Sequence, residues 1–320
     1  MSALANGGRV STLDLRREIF GDHRDPSRAD VQKLLTVGRA EGADPQFAEL
    51  LAEVALDVFV TQVDPSGYIT DADAAWLIER LAGGGGLACP AEFGLLETLL
   101  GHAVNVPSAL TDFAIREVEK AILTGRRDAF GGQDREPGIV TLSDVEALRA
   151  LAFAPTRGHS MHVDRATAEA LFDIAHATAT ADNAPEFVEF FARAIGNHLM
   201  GADFLGTPDA SEVLSAESEL AKPGGFGAFL SAVFQGPRDF RVAREAIGDA
   251  QEDEDRAFNA ATDAQLDAAS HIQPDAATWV IAHLTRGGEL TAAERRLLAF
   301  LRDEAASAPP ELEALYAQAA

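Results

Sequence analysis

The stretch VTQVDPSGYITDADAAWL, Val60–Leu77, decides how the rest of the chain is read. Apolar residues give way to a polar run holding Pro65 and Gly67, two residues that punctuate regular structure. Thr70 then stands where a helix N-cap belongs, with Asp71 and Asp73 in the turn that follows. A threonine hydroxyl there accepts from an otherwise unpaired backbone N–H, and the helix dipole favours acidic side chains in the first turn. The spacing predicts a turn around Gly67 that hands over to a helix at Asp71.

The same signals return along the chain. Gly138-Ile139-Val140-Thr141 opens a second helical stretch as Gly67-Tyr68-Ile69-Thr70 opens the first, with Asp144 and Glu146 in its first turns. Both stretches break, restart on a segment bearing Glu92 or Glu169, and close on a proline-led helix at NVPSAL (Asn105–Leu110) or NAPEFV (Asn183–Val188). Near the C-terminus, Trp279 falls where Trp76 does, Leu284 matches Leu81, and Glu294 matches Glu92 with one glycine gapped. LTAAE (Leu290–Glu294) has a threonine three residues before a glutamate, which predicts a capping box, and SAPPEL (Ser307–Leu312) supplies a third proline-led start. GTPDASEVLSAESELAKPGG, from Gly206, reads as a more diverged copy. Starts at Gly67, Gly138, Gly206 and near Ile272 recur about every 70 residues. Ser27–Val60 reads as an incomplete first copy, because an end repeat has one neighbour to bury against. Leu95, Leu96, Leu99 and Leu100, and likewise Leu297, Leu298 and Leu301, recur at helical spacing and are assigned to the core.

Composition agrees with helix. The 320 residues are 47% hydrophobic, enough to build cores, and the chain is rich in Ala, Leu and Glu. It carries 51 Asp plus Glu against 26 Lys plus Arg, a formal charge of −25. Such a surface repels phosphates, so conventional nucleic-acid binding is not expected, and a basic partner or a cation suits it better. One cysteine, Cys89, excludes an intramolecular disulfide and a multi-cysteine metal site. The opening MSALANGGRVSTLDLRREIF has no apolar core of signal length, and no window reaches the roughly 20 apolar residues of a membrane span. A cytoplasmic protein without a transmembrane segment is expected.

The Gly67 stretch resembles the loop of an EF-hand calcium site. With Gly67 at loop position 6, the resemblance implies metal ligands at Asp64, Ser66, the carbonyl of Tyr68, Thr70 and Asp73, and an apolar pairing residue at Ile69. The loop departs from that pattern at its first position, which is Gln62 in place of an aspartate. Its last is Asp73 rather than the longer glutamate that coordinates through both oxygens. Sister loops keep the turn glycine, the apolar residue and the acidic cap, while Arg135 and Pro137 stand where ligands would be before Gly138. AGGGGLACPAEFGLLETLL (Ala82–Leu100) and TRGGELTAAERRLLAFL (Thr285–Leu301) also resemble TerB-like helical domains, with a small-residue turn, an apolar residue and a glutamate leading an apolar helix. That likeness implies a helical fold and transfers no activity.

Other chemistry-bearing residues read as structural. His159 and His162, near Asp164, have a spacing seen in zinc sites but lie in an interrupted helix whose counterpart lacks histidine. His176 and His198 sit alone on apolar helices, and Cys89 at a helix start has no histidine close in sequence. Gly83 to Gly86 reads as a turn, lacking the Gly-Lys-Ser/Thr of a phosphate loop. The acidic run Gln251–Phe258 reads as a solvated face.

The expectation is an all-α protein of tandem EF-hand-like or TerB-like helix–loop–helix repeats of about 70 residues. An atypical N-terminal unit covers 1–66, repeat units cover 67–137 and 138–205, a diverged unit with the acidic segment covers 206–270, and a C-terminal unit covers 271–320. It is expected to be non-enzymatic, a regulatory or protein–protein interaction module whose partner is another protein. The alternative is a calcium or divalent-cation sensor acting through Asp64, Ser66, Tyr68, Thr70 and Asp73. No cofactor is expected besides that Ca2+ ion.

Overall fold

The structure, a computed structural model, describes residues 11–21, 24–41, 45–83, 85–126, 136–153, 163–200 and 270–319. The start at Gly206, the run Gln251–Phe258, His159 and His162 lie outside the described residues. Among those described the chain is mostly helical and contains no strand. The helices are α1 (Thr12–Phe20), α2 (Arg28–Glu41), α3 (Pro45–Leu56), α4 (Asp71–Ala82), α5 (Pro90–His102) and α6 (Ser108–Thr124). There follow α7 (Leu142–Ala152), α8 (Arg165–Ala177), α9 (Pro185–Met200), α10 (Pro274–Leu284), α11 (Ala292–Glu304) and the single turn α12 (Pro310–Glu313).

The helix starts follow the cap chemistry. Thr70 Oγ1 accepts from the backbone N–H of Asp73 at 3.1 Å. The N–H of Thr141 donates to Asp144 Oδ2 and that of Thr291 donates to Glu294 Oε2, each at 2.7 Å. The acidic third residue thus satisfies a backbone donor that the helix itself leaves unpaired. Helices α9 and α12 begin on proline, whereas α6 begins one residue past Pro107. The second-helix glutamates differ in placement: Glu92 and Glu294 are third residues of α5 and α11, but Thr167 holds that place in α8 and Glu169 falls two residues later.

The turns recur in geometry. Gly67 has φ +94° and Gly138 φ +77°, the left-handed region that an L side chain enters at a cost. A Cβ on Gly67 would also sit 2.8 Å from Val104 Cγ2. The N–H of Gly67 donates to Val60 O at 2.8 Å and that of Gly138 to Ile122 O at 2.9 Å, closing the C-terminal ends of α3 and α6. Each triplet of helices, α4–α6, α7–α9 and α10–α12, ties the segment before its first helix to the linker before its third. Ile69 N–H donates to Asn105 O at 3.1 Å, Ala184 N–H to Val140 O at 2.8 Å, and Ile272 N–H to Ser307 O at 3.0 Å. Ile69, assigned by the EF-hand likeness to pairing between two loops, pairs instead with the α5–α6 linker of its own triplet.

The core forms where apolar stripes meet. Helix α3 lies along α5, and α9 lies along α11, while α6 packs on α7 and α8 and so joins the two halves of the described chain. Leu95, Leu96, Leu99 and Leu100 of α5 and Leu297, Leu298 and Leu301 of α11 are all buried, as their spacing predicts. Burying one such leucine stabilises by roughly 1.5–3 kcal/mol. A wide last turn ends α3, closed by Gln62 N–H to Asp57 O at 2.9 Å, and it brings both Phe59 and Val60 into the core. No described helix is long and apolar enough to cross a membrane.

Candidate functional site

The residues proposed for the Gly67 loop have separate engagements. Asp64 is exposed beside a cis Asp64–Pro65 peptide, and Ser66 Oγ donates to Val60 O at 3.2 Å. Tyr68 is buried and its backbone bridges to Asn105. Thr70 caps α4 and also donates its hydroxyl to Asp73 Oδ2. Asp73 is buried and ion-paired through Oδ1 with Arg28, the first residue of α2. A cation entering this loop would compete with that guanidinium for the one buried carboxylate of the set. Among the described residues no three His, Cys, Asp or Glu side chains gather into a metal-binding group.

Asp73 belongs to a pattern that extends across the molecule. Asp30, Asp73, Glu92 and Glu294 are each the third residue of a helix and each is buried. In Asp73, Glu92 and Glu294 one oxygen serves the helix start and the other takes a basic side chain from another helix. Asp30 accepts from Ser27 N–H at 2.9 Å while Arg24 grips it with two bonds at 2.7 and 3.0 Å. Ala88 N–H donates to Glu92 Oε2 at 2.7 Å, and Arg39 Nε reaches Oε1 from α2. Arg39 Nη2 also donates to the carbonyls of Arg80 and Leu81, each at 2.9 Å, at the open end of α4. Glu294 Oε1 meets His176 Nε2 of α8 at 2.7 Å. A buried carboxylate without a partner would be costly, so the clamps on Asp73, Glu92 and Glu294 each fix where a neighbouring helix lies.

The clamps also match between the two halves. Arg39 is the twelfth residue of α2 and His176 the twelfth of α8, and each holds the third residue of the third helix onward, in α5 and α11. The sequence aligns Glu92 with Glu294 but leaves His176 as an isolated histidine, packed or peripheral. The signal that would have found its role is this shared helix position.

The same register sets two partly exposed tryptophans at the sixth position of α4 and α10. Trp76 packs on Phe59 with centroids 5.5 Å apart and carries the Arg80 guanidinium 5.5 Å from its ring. Trp279 carries Arg165 at 4.5 Å and is flanked by Phe172, His198 and His283 at 5.6, 4.9 and 4.7 Å. Its indole Nε1 is buried with no hydrogen-bond partner among the described residues. Between the halves, Asp112 of α6 buries one carboxylate oxygen without a partner. Burial, followed by the charge of Asp164, pushes its carboxyl up to about 6. Burial likewise pushes up the thiol of Cys89, so the helix start does not give it thiolate character.

Comparison of the chain with protein-family models, curated proteins and solved structures finds no match.

Proposed function

We propose that the chain is a non-enzymatic helical-repeat protein acting as a regulatory or protein–protein interaction module. Its units are tandem EF-hand-like or TerB-like copies of about 70 residues, a reading supported by the turn glycines, the triplet ties and the matched clamps. The observation that carries the function is the pair of tryptophans at one helix register, each partly exposed and each under an arginine. Tryptophan and arginine are enriched at the energetic centres of protein interfaces, and α4, which presents Trp76, is held by Arg28 on Asp73 and by Arg39 at its end. The −25 charge favours a partner with a basic rim, which would be steered toward the chain and released by salt.

The test is affinity capture from the native cell extract with the wild type, Trp76→Ala and Trp279→Ala, quantified protein by protein. A basic protein whose retention falls tenfold or more with either substitution, about 1.4 kcal/mol or more, supports the reading. Retention profiles identical for all three chains refute it.

A divalent-ion sensor is the competing reading, favoured by the exposed Asp64 next to the left-handed Gly67 turn. Ca2+ would draw on Asp64, Ser66, Tyr68, Thr70 and Asp73 and would have to release Arg28 from Asp73. Calorimetry with calcium on the wild type and Asp64→Ala decides it. Absence of heat and of a thermal shift at millimolar calcium rejects the sensor.

A further inference from the structure

Trp76 and Trp279 occupy matching places, yet Trp279 is set among histidines. His283, one turn further along α10, stacks on Phe172 with centroids 4.7 Å apart and planes at 25°, and lies 4.7 Å from the indole. Arg286, in the turn after α10, donates from Nη2 to His283 Nδ1 at 3.0 Å and from Nη1 to Asp173 Oδ1 at 2.8 Å. A guanidinium carries no acceptor, so Nδ1 must supply a lone pair and the ring must be neutral, with its proton on Nε2. The charged groups around it are Arg286, then Glu169, Asp173 and His176 on α8. Beyond them lie Arg165 over the indole, His198 on α9, and Glu294 on α11, held by His176. Burial first, then Arg286, holds the imidazole below the ordinary 6.5 against the pull of Glu169 and Asp173.

We propose that His283 is a proton-operated latch on Trp279: once Nδ1 takes a proton it can no longer accept from Arg286, the ring leaves its stack on Phe172, and the indole is uncovered. The proton arrives from solvent at the half-exposed edge of the ring, and Arg286 keeps its bond to Asp173. The departing imidazolium gains hydration that the aromatic site cannot give. Trp76, beside Phe59 and Arg80, has no such latch, so acidification changes one tryptophan face and leaves the other.

The two tryptophans of the chain allow each face to be read alone. Trp76→Phe leaves Trp279 as the reporter, and Trp279→Phe leaves Trp76. Acrylamide quenching is followed from about pH 8 to about pH 5, with helical circular dichroism recorded alongside. We expect the quenching slope of Trp76→Phe to rise roughly twofold as the open population grows, with a midpoint below the usual histidine value. The slope of Trp279→Phe stays flat, as does that of Trp76→Phe combined with His283→Gln or with His283→Asn. A flat slope for Trp76→Phe, a rise that survives both His283 replacements, or an equal rise in Trp279→Phe overturns the latch. No partner enters this measurement, so its failure and the failure of the docking face are told apart.

Discussion

His176 on α8 and Glu294 on α11 are 118 residues apart in sequence, and their Nε2 and Oε1 atoms lie 2.7 Å apart in the fold. Arg39 and Glu92 make the corresponding contact between α2 and α5. Both glutamates are essentially without solvent exposure, at 1% and 0%. The two clamps differ in depth of commitment: Arg39 also closes the end of α4 through two carbonyls, while a single contact joins His176 to Glu294.

That difference sets an order of stabilities. Arg39→Ala leaves Glu92 buried without its permanent counter-charge and frees the two α4 carbonyls, and is expected to cost about 3–5 kcal/mol. His176→Ala removes one hydrogen bond from a carboxylate that keeps its cap and should cost less, about 1–3 kcal/mol. Urea denaturation of both variants measures the order. Arg39→Met combined with Glu92→Met should recover most of the first loss, because apolar residues of similar volume need no counter-ion.

Asp30 governs the acid limb of stability. The hydrogen bonds from Arg24 first, and then those from Ser27, lower its carboxyl from 3.8 to about 2. A depressed carboxylate stabilises the fold above its unfolded value and loses that contribution as pH falls through the folded value. The wild type is therefore expected to lose about 1–2 kcal/mol between about pH 4 and pH 2, the half-exposed guanidinium screening part of the effect. Asp30→Asn should be less stable than the wild type at neutral pH and flatter across that window in acid denaturation.

Asp112 acts with the opposite sign. Its raised value, about 6, means that the folded chain binds the proton more tightly than the unfolded one. The stabilisation is fully present below about pH 4 and is lost as pH rises through about 6. Asp112→Asn removes the ionised form next to Asp164 and should stabilise the protein by about 1–2 kcal/mol at neutral pH. Thermal unfolding compared at about pH 4 and about pH 7 measures this, with the two chains nearly equal at the lower value.

Gly196 sets how closely α9 approaches α11. A Cβ there would stand 2.3 Å from Phe300 Cε1 and 2.8 Å from Cδ1. Gly196→Ala gains about 1 kcal/mol of helix propensity but forces the ring out of place, at a cost of about 1–3 kcal/mol. We expect a net loss in the wild type and a net gain of about 1 kcal/mol once Phe300→Ala has emptied the site. A double-mutant cycle in urea gives the sign directly.

Helix existence and helix starts were legible along the chain, because caps and apolar spacing act within one or two turns. Thr70, Thr141 and Thr291 cap as their neighbours require, and the leucine stripes of α5 and α11 are buried. Asp73 could be placed at a helix start, but its partner could not. Arg28 lies 45 residues earlier, and nothing in a linear pattern ties the two. The same holds for His176, which reads as a lone histidine until α11 is laid beside α8.

The amino-acid sequence alone thus determined the all-α class, the acidic caps and the core stripes, all consequences of hydrogen bonding and burial between near neighbours. Only the tertiary structure decided which base holds each buried carboxylate, and it alone gathered Phe172, His198 and His283 around Trp279. The reason is physical. A desolvated charge or an aromatic face is satisfied by whatever the packing of distant helices brings within a few ångströms, and that choice is made in space.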